Sequence, residues 1–246
     1  MSTLLAPGGA TRATPVQARP VSERAPLVGD RARWLLAASG FVMLGFVFVH
    51  LAGNLLAFAG ADAFNTYAHW LRQVGTPLLP DSALLWVARV ALAGTLVIHL
   101  ACHLYIMTHP EAPSALTLGP ADQLPPWYAT LPVLVFQVSG ALILAFLGFH
   151  LAQLTLGAIH PAFAVGDPYN NTIVALQSGP VSIAYVGAAI AVGVHLLPGT
   201  WTGLRSLGLV RASTARLAGI VAPVVAIFVA LGLSAVPLAV LIGNLK

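Results

Sequence analysis

Five stretches of this chain contain no Asp, Glu, Lys or Arg: residues 34–61, 90–110, 123–166, 168–204 and 217–245. A helix needs about 20 mainly apolar residues to cross a hydrocarbon layer of about 30 Å. In lipid, backbone N–H and C=O groups must find partners within their own segment or a closed barrel. Each stretch is long enough for a helix, and none shows the two-residue alternation of a barrel strand. Only 7% of the residues are charged, where a soluble domain carries about a quarter. The sequence therefore predicts an all-α integral membrane protein with five transmembrane helices, over 33–58, 83–107, 129–157, 175–204 and 215–243. Four of these are expected to form a bundle, with the fifth beside it. Pro132 and Pro180 suit first-turn positions, where a missing N–H costs least. Pro198 and Gly199 predict a bend late in the fourth helix.

The charged residues flank these spans. Residues 1–30 mix Pro, Arg, Ser, Glu and Asp and read as a mobile polar tail ahead of a 31–246 membrane domain; no apolar core follows early enough for a signal peptide. Arg12, Arg19, Arg24, Arg31 and Arg33 precede the first span, and Arg205, Arg211 and Arg216 lie between the fourth and fifth. The other side carries only Arg72 and the terminal Lys246. The positive-inside bias then puts the N-terminus in the cytoplasm; the membrane is expected to be the inner membrane of a bacterium. The same bias also explains a pI near 9.7 without a nucleic-acid partner. Cys102 is the only cysteine, so neither a disulfide framework nor a cysteine-held cluster comes from this chain.

An internal repeat carries the chemistry. "SGFVMLGFVFVHLA" (39–52) and "SGALILAFLGFHLA" (139–152) align at an offset of 100 residues, matching at Ser-Gly, Leu44/Leu144, Phe46/Phe146 and His-Leu-Ala. A weaker echo joins "LVIHLA" (96–101) to "VGVHLL" (192–197). A two-helix unit thus occurs twice in the same orientation. His50 lies 17 residues past Arg33 and His150 lies 18 past Pro132, so at about 1.5 Å per residue both sit in the outer half of the membrane. His99 is 17 past Ser82 and His195 is 15 past Pro180, on helices running the other way, which puts both in the inner half. Ionisable residues inside spans are rare and usually functional. Two opposed neutral imidazoles between helices suit axial ligation of a haem iron. The pairing predicts an outer site at His50 and His150 and an inner site at His99 and His195. The haems would be b-type, because no Cys-x-x-Cys-His attachment motif is present. His103 shares a helix face with His99 and is the alternative inner ligand, or a propionate contact. Gly40, Gly45, Gly53, Gly140, Gly148, Gly187 and Gly193 offer room for a flat macrocycle, or equally for close helix packing. His69, His109 and His160 are expected to be solvated.

The order of parts resembles the cytochrome b membrane-anchor subunit of succinate dehydrogenase and quinol:fumarate reductase, in its single-chain, five-helix, two-haem form. The stretches that carry the resemblance are "SGFVMLGFVFVHLAGNLLAFAGADAFNTYAHWL" (39–71), "FHLAQLTLG" (149–157), "DPYNN" (167–171) and "GVHLLPGTWTGLRSLG" (193–208). It implies the same four ligands for two haems b and electron exchange with a quinone, typically menaquinone. It also implies a flavoprotein and an iron–sulfur subunit on the cytoplasmic face. Succinate or fumarate chemistry would occur on the flavoprotein, so no catalytic residue is expected in this chain. Some fumarate reductases of the type carry a membrane glutamate two residues before the fourth-helix ligand; Gly193 stands there, and no helix interior holds an acid.

Arg89, well inside the second span, is a candidate propionate partner or a side chain reaching for the outer headgroups. Arg31, Arg33 and Arg205 are inner-side candidates for propionate or partner contacts. Ser39, Gln137 and Ser139 near the inner end, and Asn54 and Gln153 near the outer end, are candidate quinone contacts. Two other readings share part of this pattern: the di-haem anchor of a hydrogenase or formate dehydrogenase, and a haem-free transporter or anchor whose histidines relay protons or pack.

Overall fold

The structure, a computed structural model, describes residues 28–109, 125, 127–128 and 133–246. Among these it is all-α, with five helices long and apolar enough to span a membrane: a multi-pass membrane protein. The spans are α1 (Val28–Leu55), α3 (Ala83–Thr108), α4 (Val133–His150), α6 (Gly179–Ser206) and α7 (Ala215–Leu241). Two shorter helices, α2 (Ala61–Gln73) and α5 (Pro168–Leu176), occupy the connections after α1 and before α6.

Several boundaries differ from the sequence expectation. Helix α1 starts at Val28, inside the stretch read as tail, with Asp30 in its first turn where a negative charge suits the helix dipole. It ends in a 3₁₀ turn over Leu56–Ala59. The predicted fourth span, 175–204, merges two helices. A break at 177–178 separates α5 from α6, whose first turn holds Pro180, as expected. Pro198 lies inside a helix that continues to Ser206, and α7 contains Pro223 and Pro237. Neighbouring helices and local adjustments make such interior prolines tolerable in membrane spans. Pro132 and the expected start of the third span at 129 lie outside the described residues, as do residues 1–27.

Helix α4 passes into a π-turn over Leu151–Thr155, marked by Leu156 N–H donating to Leu151 O at 2.9 Å. Such turns are rare and recur at functional sites. Here the turn begins immediately after His150.

Helix α6 is the hub, packing against α1, α4 and α7, while α1 also packs against α3 and α7. Small side chains permit the approach of α6 and α7: Ala188, Ala189, Ala191 and Gly193 are buried on one helix, and Ala218, Ala222 and Ala226 on the other. A Cβ on Gly193 would stand 2.8 Å from Ala230 Cβ and 3.0 Å from Ala226 O. That glycine is there for helix contact, and an acid at this position would collide with α7. By contrast, α3 has no buried residue.

The end of the bundle opposite the start of α1, the one expected to be outer, is tied together by the residues of "DPYNN". Asp167 caps α5 by accepting from Asn170 N–H (3.1 Å) and also accepts from Asn65 Nδ2 (2.9 Å) on α2. Asn65 Oδ1 in turn accepts from Tyr169 N–H at 2.9 Å. Asn171 makes a reciprocal pair with Ala164, its Oδ1 accepting from the N–H and its Nδ2 donating to the C=O, each at 2.8 Å.

Candidate functional site

The four predicted histidines form two pairs across the bundle. The rings of His50 and His150 are 5.8 Å apart, and those of His99 and His195 are 6.5 Å apart. Two imidazoles holding one metal from opposite sides, with bonds of about 2 Å, place their ring centres about 6 Å apart. Both pairs fit that spacing. Ser39 touches His99 and lies eleven residues before His50 on α1, so the pairs are separated by about 16 Å along the helix axis.

The repeat seen in the sequence is also a repeat of contacts. Ser39 Oγ lies 3.2 Å from His99 Nδ1, and Ser139 Oγ lies 3.4 Å from His195 Nδ1. Each serine donates its own hydrogen to a helix carbonyl: Ser39 to Leu35 O (2.7 Å), Ser139 to Phe136 O (2.8 Å). The serine oxygens are therefore acceptors, and Nδ1 of each histidine carries the proton. Nε2 keeps its lone pair for a metal. The next residues, Gly40 and Gly140, make space for the rings, since a Cβ would stand 3.4 Å and 3.2 Å from Cε1 of His99 and His195 respectively. Phe46 stacks on His50 (5.4 Å) and Phe146 on His150 (5.9 Å).

Not every small residue serves this site. Gly45, Gly148 and Gly187 have open space beside them, but a Cβ on Gly53 would meet the Tyr67 ring at 2.8 Å. Gly53 and Gly193 are thus packing glycines, not room for a macrocycle.

His103 stands near Phe136, with ring centres 6.4 Å apart. Its equivalent in the repeat, four residues after His195, is Gly199. His99 is the one paired with His195. His160 departs from expectation. Its Nδ1 accepts from Ala162 N–H (3.0 Å), so Nε2 is protonated and donates to Asn171 O (2.8 Å); it holds the outer loop and is not simply solvated. His69 and His109 are exposed, with His109 stacked on Tyr105. Of the candidate quinone contacts, Ser39 and Ser139 are engaged by the inner histidines, and Gln153 accepts from Tyr185 Oη at 2.9 Å. Gln137 and Asn54 are half-buried.

Positive charge frames both ends. Arg89 leans one turn back, its guanidinium 4.8 Å over the Trp86 ring. It lines an outer cavity of about 310 Å³ together with Arg72, Thr155, Phe163 and Asn171. At the inner end, four buried polar atoms find no partner among the described residues: Arg33 Nε, Thr200 Oγ1, Trp201 Nε1 and Arg205 Nη1. Three of these can only donate, so the complementary group is an acceptor such as a carboxylate. Arg205 also lies 5.7 Å over the Trp201 ring. Burial pushes the nearby Tyr128 phenol up, and Arg205 pulls it the other way. Arg31 is exposed.

Sequence reading missed Tyr185, Phe136, Thr200, Trp201 and Arg72. Tyr185 had only a weak signal, as a tyrosine within a charge-free span, a feature it shares with Tyr105. The described residues hold no cluster of three or more His, Cys, Asp or Glu, but a tetrapyrrole supplies four ligands of its own and asks the protein for two. No known protein family, characterised protein or solved structure matches the chain.

Proposed function

We propose that this chain is a di-haem cytochrome b and the membrane anchor of a succinate:quinone oxidoreductase. It would carry electrons between an iron–sulfur subunit and membrane quinone, which the family resemblance makes menaquinone. The observation that carries the cytochrome reading is the duplicated Ser-Gly-histidine arrangement around two cross-bundle pairs 5.8 Å and 6.5 Å apart. His50 and His150 would hold the outer haem, and His99 and His195 the inner one. When bound, each haem iron supplies reversible one-electron chemistry. The chain's own residues do the rest. Ser39 and Ser139 fix the tautomer of the inner ligands, Gly40 and Gly140 admit their rings, and the phenylalanines one turn before the outer ligands limit ring rotation. The unpartnered donors at the inner end suit the carboxylates of the inner haem, and Arg72 and Arg89 suit those of the outer.

The succinate assignment rests on the resemblance of residues 39–208, with flavoprotein and iron–sulfur partners on the cytoplasmic side. The arginine bias supports a cytoplasmic N-terminus in a bacterial inner membrane.

A pyridine haemochrome assay on the assembled complex should give two haems b per chain; clearly less than one would overturn the reading. His50→Ala and His150→Ala should remove the same spectral component, and His99→Ala and His195→Ala the other. Loss of one shared component in His50→Ala and His99→Ala would refute the pairing. Identification of the copurified catalytic subunit tests the succinate assignment, since a hydrogenase or formate dehydrogenase partner would replace it.

A further inference from the structure

The inner histidines are matched, each bonded through Nδ1 to a serine. The outer histidines are not. His150 Nδ1 lies 3.3 Å from Tyr185 Oη. That phenol donates its hydrogen to Gln153 Oε1 at 2.9 Å. Gln153 is 3% exposed and sits in the π-turn that follows His150. With its hydrogen committed to Gln153, the phenol oxygen is an acceptor, and His150 Nδ1 is the donor that fills it. Nε2 of His150 is left unprotonated.

The repeat explains why His50 has no such partner. Tyr185 precedes His195 by ten residues; ten residues before His99 stands Arg89, whose guanidinium turns away onto Trp86. The residue equivalent to Gln153 is Gly53, whose surroundings are filled by Tyr67. One half of the repeat therefore carries a phenol–amide chain behind its outer histidine, and the other half carries neither member.

We infer that Tyr185, backed by Gln153, is a positioning residue that orients His150 and sets the reduction potential of the outer site. The inference rests on the haem reading above. A ligating imidazole that donates from its second nitrogen is more basic and a stronger donor to the metal. It therefore favours the oxidised iron and lowers the potential. A phenol oxygen whose hydrogen is already given away is the better acceptor, because consecutive hydrogen bonds polarise one another. Tyr185→Phe keeps the ring and its packing against Phe146 and Phe149 and removes only the oxygen.

The test is potentiometric titration of the haem absorbance in purified complex, wild type against Tyr185→Phe. The component that disappears in His150→Ala should shift positive in Tyr185→Phe by a factor of about three to ten in the one-electron reduction equilibrium, or roughly 30 to 60 mV. The component that disappears in His195→Ala should stay in place. Gln153→Leu frees the phenol hydrogen and should shift the same outer component the same way by less. The double variant should shift no further than Tyr185→Phe, because the amide acts only through the phenol. A haem-free wild type would remove the underlying reading. Two haems with an unmoved outer component in Tyr185→Phe, movement of the inner component, or additive shifts in the double variant would overturn the role of Tyr185 and leave that reading standing.

Discussion

Gly193→Ala adds one methyl group at the contact between α6 and α7, and the structure says what it must displace. The new carbon would stand 2.8 Å from Ala230 Cβ and 3.0 Å from Ala226 O. Carbon atoms in good contact are about 3.5–4.0 Å apart, so the shortfall against Ala230 is roughly 0.7–1.2 Å. Neither neighbour is the end of a flexible side chain. A Cβ and a backbone carbonyl move only with their helix, so α7 as a whole must shift, and its buried Ala222 and Val229 with it. Inserting a methyl into such a contact costs about 1–3 kcal/mol. The gain of up to about 1 kcal/mol in helix propensity from Gly to Ala opposes it. With the full gain subtracted the net loss is about 0–2 kcal/mol, or a drop of up to about 8 °C in the unfolding midpoint at about 2–4 °C per kcal/mol; against a glycine-to-alanine control that makes the same gain, the whole of about 1–3 kcal/mol is read. Thermal unfolding in detergent, followed by tryptophan fluorescence, reads it. Gly94→Ala is the control, since nothing lies within 4 Å of its would-be Cβ. If Gly193→Ala unfolds at the same temperature as Gly94→Ala, the small-residue account of the α6–α7 contact is wrong.

Two further outcomes follow from neighbouring geometry. Asn171→Ala removes both bonds to Ala164 and leaves part-buried backbone groups unpaired, at a cost of about 1 kcal/mol; limited proteolysis within residues 157–167 should speed up, with Asn171→Asp intermediate because it keeps only the acceptor, and unchanged cleavage would sink the clamp. Gly140→Ala pushes on His195 from 3.2 Å, whereas Gly40→Ala brings its methyl only into ordinary contact with His99 at 3.4 Å, so inner-haem content or its low-spin spectrum should change in the first and little in the second, with the outer signal constant.

The spans were legible because hydrophobicity and missing charge are summed over twenty or more residues, and a sum of that length survives local irregularity. The break before α6 was not, because residues 168–204 are uniformly charge-free and Asn, Gln and Ser do not interrupt such a run. The histidine levels could be read from residue counts alone, since a helix rises by a fixed amount per residue. The second sphere could not. Ser39 and Ser139 stood in the repeat, but their contact with His99 and His195 depends on how α1 faces α3 and how α4 faces α6. The orphaned donors at Thr200 and Trp201 follow from burial, which no local pattern reveals. Gly53 and Gly193 look like the other glycines in sequence and differ only in what lies opposite.

The doubled Ser-Gly-histidine arrangement has a consequence for ancestry. Each pair is drawn from equivalent positions of the two halves, so the midpoint of each histidine pair falls on the pseudo-twofold axis that relates them. A single two-helix hairpin with one histidine at each level would have needed only a second copy of itself to build both sites. Joined in one chain, the two halves are free to differ from each other. One half carries the phenol and amide behind its outer histidine and the other an arginine at the matching place, so two histidines that the repeat makes equivalent stand in unlike surroundings.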